Sequence, residues 1–148
     1  GIAVDTKDEL REDLKLLDGS SKPICLCEVK GTNKGVKREY INQADSHRER
    51  SNFDAEFPTL LIINTHIKNA RSVTEKDQEI ANEQILHAVK MNVLIMRTID
   101  LLALLRIYFN GKLTLKEVEE LFTNNIGWLR ISGDEYVVVT DNAPEVKA

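Results

Sequence analysis

Two charged side chains lie inside an otherwise apolar run, residues 24 to 31. The run predicts a central strand that is buried on both faces. Glu28 and Lys30 are two residues apart, so in a strand both side chains lie on the same face. Because an unpaired charge is costly to bury, each of them needs a partner. They can form a structural ion pair, or Glu28 can bind a divalent cation while Lys30 contacts the attacking water or a phosphate oxygen.

A metal site needs a second carboxylate at the same place, and the preceding residues supply one. Turn-forming residues 18 to 23 separate two segments that contain apolar residues, so the sequence predicts a β-hairpin. If Leu17 pairs with Ile24, then Asp13 lies opposite Glu28, with the two Cβ atoms about 5 Å apart. Two carboxylates at that separation repel each other unless a cation such as Mg²⁺ or Mn²⁺ lies between them.

An aspartate on one strand, followed by Glu-x-Lys on the next, resembles the PD-(D/E)XK nuclease superfamily. The residues that carry the resemblance are Asp13, Glu28, Val29 and Lys30. The element order that follows also fits, so the resemblance covers most of the chain. It implies an α/β protein with the restriction-endonuclease-like three-layer α/β/α fold and a central mixed sheet. It also implies that Asp13, Glu28 and the main-chain carbonyl of Val29 bind Mg²⁺ or Mn²⁺, and that Lys30 orients the attacking water.

Helical periodicity follows the candidate strand. After a polar loop at residues 31 to 35, the pattern predicts a helix from Val36 to about Arg50. In the resembled family this helix packs beside the active strand and often supplies a glutamine near the metal-bound phosphate, and Gln43 is the matching residue. An ordinary surface role for Gln43 is the open alternative. His47 lies one turn further on the same face and is a secondary candidate.

The charge distribution favours a phosphate backbone as the partner of this helix. The formal net charge of the chain is −4, yet residues 22 to 50 contain seven Lys and Arg and only four Asp and Glu. A local basic patch on an acidic protein can steer a nucleic acid, although a solvated helix face has a similar composition. The candidate nucleic-acid-binding residues are Lys34, Lys37, Arg38, His47, Arg48 and Arg50.

Composition restricts the class of protein. Apolar residues make up 42% of the 148 residues, which excludes a disordered chain and suits one domain with its own core. No apolar run is long enough to span a membrane, and no secretion leader is visible. The opening Gly1 suggests a piece excised from a larger protein. We expect a single cytoplasmic nuclease-like domain over residues 1–148, with a loose tail at 141–148.

Two cysteines fall inside the candidate strand. Cys25 and Cys27 lie on the face opposite Glu28. A Cys-x-Cys pair can bind a metal, but no further cysteine or histidine completes a set of ligands. The sequence therefore predicts two buried thiols in a reducing compartment.

Strands and helices alternate further along the chain. Residues 59–64 and 93–96 are apolar runs that predict buried strands, and a helix over residues 74–91 is expected between them. Strands that alternate with helices and are apolar on both faces indicate a mixed sheet between helical layers.

The last third of the chain contains two helices and a hairpin. Asp100 is expected to cap a helix over 101–109, which is apolar nearly all round. Such a helix is buried, or forms an interface with a second copy or a neighbouring domain. Thr114 and Glu117 form a capping box for a helix that ends at Phe122. A closing hairpin pairs residues 128–131 with residues 136–139.

Two functions remain from the sequence. The first is a divalent-metal-dependent nuclease that hydrolyses phosphodiester bonds, with DNA as the favoured substrate. The second is an inactive nuclease-like fold that serves as a nucleic-acid-binding or protein-assembly module, in which Glu28 and Lys30 form only an ion pair. A P-loop NTPase is excluded, because no Gly-x-x-x-x-Gly-Lys-Ser/Thr loop is present.

Overall fold

The computed structural model describes residues 3–5 and 14–141, and the strands in these ranges form one sheet. The strands are β1 (Ala3–Asp5), β2 (Leu14–Leu17), β3 (Pro23–Gly31), β4 (Thr59–Asn64), β5 (Leu94–Arg97), β6 (Gly127–Ser132) and β7 (Glu135–Val139). The helices of the described ranges are α1 (Arg38–Arg50), α2 (Val73–Lys76), α3 (Asn82–Lys90), α4 (Thr98–Phe109) and α5 (Leu115–Thr123).

The sheet is mixed, and its seven strands lie side by side in chain order. β1, β2 and β3 form an antiparallel meander, and β3 to β6 are parallel to one another. β7 returns antiparallel to β6 through the hairpin that the sequence predicts. The described chain therefore belongs to the α/β class with a central mixed sheet, as expected.

Helices cover both faces of the sheet. On one face α1 and α3 pack through Ile41 and Ile85 against Leu61 of β4, within a single apolar cluster. On the other face α4 and α5 contribute to a second cluster, which includes Leu104 and Phe122. Because the middle strands are buried on both faces, their sequences are continuous apolar runs without alternation.

The hairpin of β2 and β3 has the predicted register over most of its length. Leu14 lies opposite Cys27, and Leu16 lies opposite Cys25. The register shifts between Leu16 and Leu17, so Leu17 pairs with Pro23 instead of the expected Ile24. A shift of this kind inserts an extra residue on one strand next to the turn.

Asp18 accounts for the conformation of that turn. Its Oδ1 accepts hydrogen bonds from the backbone N–H groups of Lys22 at 3.0 Å and Ser20 at 2.8 Å. These bonds favour the carboxylate and hold the pKa of Asp18 below its ordinary value. The aspartate therefore has a local role in the turn, away from the apolar body of β3.

The first described residues of the chain form a strand that the sequence does not predict. No pattern in residues 1–11 predicts an element, yet β1 forms there and Val4 pairs with Leu16. A strand of three residues is too short to produce a recognisable alternation. Residues 142–148, most of the expected tail, lie outside the described ranges.

The single helix predicted over residues 74–91 is wrong, because two helices separated by an extended segment occupy this region. Ser72 caps α2 by accepting the N–H of Glu75 at 3.2 Å. Beyond α2, the carbonyl of Gln78 accepts a hydrogen bond from the buried guanidinium of Arg97 at 3.0 Å. The segment around Gln78 thus lies against Arg97, and α3 begins only at residue 82.

α4 begins three residues earlier than predicted. Asp100 is the third helical residue and accepts the N–H of Arg97 at 3.0 Å, so it caps the helix from inside. Leu104 is buried under α4, whereas Leu102 and Phe109 are 61% and 77% exposed. This helix therefore has one apolar face that is buried and a second apolar face that is exposed.

Both cysteines are buried, as expected. Desolvation by burial raises the pKa of the Cys25 thiol to about 12, so this group stays protonated. Across the described residues, no helix is both long enough and apolar enough to cross a membrane.

Candidate active site

Glu28 and Lys30 lie together near the carboxyl end of β3. Glu28 is opposite Leu61 in the parallel pairing with β4, and Lys30 is opposite Ile63. Leu61 and Ile63 belong to the apolar cluster under α1 and α3, so both charged side chains lie on that face of the sheet. The strand therefore places its two charges on one face, as their spacing predicts.

Glu28 lies close to the side chains of Lys30 and His47. Its side chain is largely buried, and its Oε1 lies 3.6 Å from the Nζ of Lys30. Its Oε2 lies 3.6 Å from the Nδ1 of His47. The Lys30 side chain keeps 28% of its surface exposed, so the ammonium is accessible from the solvent. A carboxylate with an accessible ammonium beside it is an arrangement that can contact a phosphate group.

His47 differs from its predicted role. We expected a contact with nucleic acid, but only 2% of the residue is exposed, and it packs from α1 against Glu28. Ala44 and Ile41 are buried on the same side of α1, so the helical repeat turns His47 toward the sheet. His47 is therefore a buried neighbour of the candidate carboxylate, and its role as a surface phosphate contact is corrected.

The predicted role of Arg48 as a phosphate contact is also corrected, because its guanidinium binds groups inside the protein. The residue is 1% exposed. Its guanidinium donates to the carbonyls of Met91 at 2.6 Å, Asn92 at 3.0 Å and Phe57 at 3.2 Å. It also pairs with Asp45 at 2.6 Å on its own helix. Arg48 joins the end of α1 to the starts of β4 and β5, and it does not face a nucleic acid.

The remaining predicted contacts divide by position along α1. Lys34, Lys37 and Arg38 are exposed near the start of the helix, where β3 ends. Arg50 is exposed at the opposite end, about 18 Å further along the helix axis. Only the first group is at the same edge of the sheet as Lys30, so Arg50 is not part of the candidate site.

Gln43 lies on the surface of α1, one turn before His47. Its side chain is exposed, and no hydrogen bond joins it to another side chain or backbone group of the described residues. Val29 extends to the opposite face of β3 and is 42% exposed, while its backbone pairs with Ile62. The roles that the resemblance implies for Gln43 and Val29 stay predictions.

The predicted metal ligands are only partly described. Asp13 lies outside the described residues, directly before Leu14 of β2. Glu28 offers the hard carboxylate oxygen atoms that Mg²⁺ and Mn²⁺ prefer. Within residues 14–141, however, no group of three His, Cys, Asp or Glu side chains is arranged to hold a metal ion. The chemical type of Glu28 fits a divalent cation, and the described residues supply one carboxylate of the expected pair.

The structure contains a second buried charge cluster, which the sequence patterns did not predict. At the end of β5, the Nε and Nη2 atoms of Arg97 donate to the two carboxylate oxygen atoms of Asp100, both at 2.8 Å. Nη1 of Arg97 donates to Asp77 at 2.7 Å. Asp100 also accepts the indole N–H of Trp128 at 3.0 Å and the backbone N–H of Ile131 at 3.2 Å. The cluster joins α4, β5 and β6.

Arg97 carries its charge despite its burial. Desolvation disfavours the charged form, but the hydrogen bonds and charges of Asp100 and Asp77 outweigh it and hold the pKa of Arg97 above its ordinary value. The guanidinium carbon also lies 4.8 Å from the ring centroid of Trp128. The sequence signal for this cluster was a lone arginine directly after an apolar strand, followed by an aspartate three residues later.

No protein-family model, curated protein or solved structure matches this chain.

Proposed function

We propose that the protein is a divalent-metal-dependent nuclease that hydrolyses phosphodiester bonds, with DNA as the favoured substrate. The observation that carries the proposal is the position of Glu28 and Lys30 on one face of β3, beside a hairpin of suitable register. Leu14 lies opposite Cys27 in that hairpin. If the same register continues by one residue, position 13 pairs with Glu28 and the second carboxylate arrives at the site.

The proposed ligands are Asp13, Glu28 and the main-chain carbonyl of Val29, with Mg²⁺ or Mn²⁺ as the cofactor. A bound divalent ion supplies a water of lowered pKa and stabilises negative charge on the scissile phosphate. His47 packs against Glu28 and restricts the positions that this carboxylate can adopt. A ligand that is held in place before the cation arrives loses less conformational freedom on binding.

Lys30 has the proposed catalytic role of orienting the attacking water. Its ammonium is next to Glu28 but partly exposed, so it can reach a phosphate without leaving the site. Positive charge at that position offsets the negative charge that develops during attack, and it is effective where water is scarce. Gln43, on the exposed side of α1, is the proposed contact to the phosphate near the ion.

The exposed cations near the start of α1 are proposed to bind the substrate backbone. Lys34, Lys37 and Arg38 lie at the edge of the sheet where β3 ends. Contacts from such side chains to phosphates provide affinity and orientation but do not read the base sequence. The proposed substrate class is therefore nucleic acid without an assigned recognition sequence.

A cleavage assay tests the proposal. Plasmid and linear DNA are incubated with the protein and Mn²⁺ or Mg²⁺, and parallel samples contain a chelator. We expect cleavage only with the metal, and we expect Glu28→Gln to abolish it while Lys116→Ala, an exposed site on α5, cuts like the wild type. Cleavage that survives the chelator or the Glu28→Gln change contradicts the proposal.

The second candidate function is an inactive module for binding or assembly. Three apolar side chains on α4 favour it, because Leu102, Leu105 and Phe109 are 61%, 40% and 77% exposed. A contiguous exposed apolar surface is typical of an interface with another protein, here a neighbouring domain or a second copy. A well-folded wild type that never cleaves nucleic acid with any divalent metal would favour this candidate.

A further inference from the structure

The loop between β4 and α2 has the same unusual charge composition as the segment that runs from the end of β3 to the first residue of α1. Residues 29–38 and 64–72 together contain six of the 20 Lys and Arg residues of the chain but none of its 24 Asp and Glu residues. In a protein with a net negative charge, these two segments are therefore local regions of positive charge. The second segment contributes Lys68 and Arg71, neither of which was a candidate site residue.

The sheet brings these two segments together. β3 and β4 are parallel neighbours, so both segments leave the sheet at the same edge, where Gly31 is paired with Asn64. Backbone hydrogen bonds continue this pairing beyond the strands, from Thr32 N to Asn64 O at 2.9 Å and from Ile67 N to Thr32 O at 3.1 Å. The two loops therefore form one continuous surface at the end of β3.

Two hydrogen bonds accepted by Asn33 hold the tips of the loops together. Its side-chain Oδ1 accepts the backbone N–H of Lys68 at 3.2 Å, and its main-chain carbonyl accepts the side-chain N–H of Asn69 at 2.9 Å. The carbonyl of Lys34 accepts the N–H of His66 at 3.3 Å. The backbones that carry Lys34 and Lys68 are thus fixed relative to each other, and only the two side chains must be ordered when they bind a ligand.

The cations of this surface are not used within the described protein. Lys34, Lys68 and Arg71 are exposed, and none is ion-paired with a carboxylate of residues 14–141. The nearby Glu75 instead accepts the backbone N–H of Arg71 at 2.5 Å.

Two cations elsewhere on the protein are paired with carboxylates. Lys112 pairs with Asp134 and lowers the pKa of that carboxyl group, and Arg130 pairs with Glu79. Cations that stay unpaired on a fixed surface are available to an external anion.

We propose that loop 64–72 is a second binding surface for the nucleic-acid backbone, with Lys68 and Arg71 contacting phosphates beside those bound by Lys34. With this loop, the proposed nucleic-acid-binding surface runs from the start of α1 to the end of β4. For its ligand class the inference rests on the proposed function, but it concerns binding, which the assay below measures separately from cleavage. The occupant is a run of phosphodiesters, because several cations spaced along a rigid surface match a regularly charged polyanion.

The test is the salt dependence of DNA binding, measured by fluorescence anisotropy with a short labelled duplex in a chelating buffer. Lys68→Ala and Arg71→Ala should each lower the slope of log affinity against log salt by about one. Lys34→Ala should do the same. Lys116→Ala, an exposed lysine on α5 that removes the same charge elsewhere, should leave the slope unchanged. Melting curves establish that each variant is folded.

The inference is overturned if Lys68→Ala and Arg71→Ala bind with the slope and affinity of the wild type, or if the wild type binds no DNA. Cleavage is scored separately with Mn²⁺. A wild type that binds with the expected pattern but never cuts refutes the proposed nuclease and leaves this surface supported. A wild type that cuts while the loop variants keep the full slope refutes this surface and supports the nuclease.

Discussion

Two charged clusters lie near the carboxyl ends of the parallel strands β3 and β5, which β4 separates, and they differ in how their charges are used. In the cluster of Arg97 and Asp100, described donors and acceptors meet at 2.7 to 3.2 Å, and both residues are at most 2% exposed. Around Glu28, the contacts with Lys30 and His47 are both 3.6 Å, and the Lys30 side chain is 28% exposed. The first cluster is closed by short hydrogen bonds, whereas the second keeps a charge accessible to a ligand.

The difference suggests a criterion for separating structural charges from functional ones. A buried guanidinium that meets carboxylates and carbonyls at hydrogen-bond distance compensates its own desolvation within the fold. An exposed ammonium at a longer distance from its carboxylate contributes little to stability, because water screens it. By this criterion Arg48 belongs with Arg97, although its sequence position suggested a phosphate contact.

The largest effect is expected from breaking the closed cluster. Asp100→Ala leaves the Arg97 guanidinium and the Trp128 indole N–H without their main acceptor in the core. Removing one partner of such a buried pair typically lowers the free energy of unfolding by about 3–5 kcal/mol. Urea denaturation of the variant and the wild type measures the change.

Asp77→Ala is the matched control, since Asp77 also binds Arg97 but its side chain is 51% exposed. It should cost much less stability than Asp100→Ala, because solvent replaces part of the lost interaction. Equal losses for the two variants would contradict the distinction between closed and accessible charges.

A smaller loss of stability is expected at Arg48. Arg48→Met keeps the aliphatic stem but removes the donors that bind the carbonyls of Met91, Asn92 and Phe57. Leaving buried acceptors without a donor should lower the free energy of unfolding by about 3 kcal/mol. The same variant should bind DNA with an unchanged salt slope once it is compared at a temperature where it is folded.

Arg50→Ala provides the comparison for Arg48, because it removes an exposed cation from the same end of α1. We expect almost no change in stability for Arg50→Ala. If Arg48→Met melts like the wild type and its DNA binding has a salt slope lower by about one, then Arg48 contacts phosphate as the sequence predicted. The structural role of Arg48 would then be wrong.

The sheet was predictable because its signals are local and repeated. The runs at residues 59–64 and 93–96 have the continuous apolar character of strands covered on both faces, and the structure contains strands there with shifts of one residue at most. The capping box of Thr114 and Glu117 also forms as predicted, since it depends on two residues within one turn. The pairing of Leu14 with Cys27 followed from the short connection between β2 and β3.

The errors came from interactions between distant residues. Charge alone placed His47 and Arg48 on the surface, whereas α1 turns both toward the sheet and its edges. The segment between α2 and α3 packs against Arg97, whose guanidinium donates to the carbonyl of Gln78, nineteen residues earlier in the chain. Loop 64–72 approaches loop 31–35 only because β4 lies beside β3, and no local pattern encodes that neighbour relation.

Part of the candidate site follows from spacing and part does not. Glu28 and Lys30 had to share a face once β3 was recognised, because they are two residues apart. The burial of Glu28 under His47 needed the packing of α1 on the sheet. The contribution of Asp13 remains a prediction, since that residue lies outside the described ranges.

The most direct test of the account separates metal binding from cleavage in Lys30→Ala and Glu28→Gln. Metal affinity is measured by calorimetry with Mn²⁺, cleavage with plasmid DNA, and stability by thermal melting. Lys30→Ala should bind the ion almost normally and lose most cleavage, because the ammonium acts on charge that develops in the transition state. Glu28→Gln should lose both activities, because it removes a ligand, and both variants should melt near the wild type. Two variants that melt early, beside a wild type that binds no metal and never cuts DNA, would contradict the account and make Glu28 and Lys30 a structural ion pair.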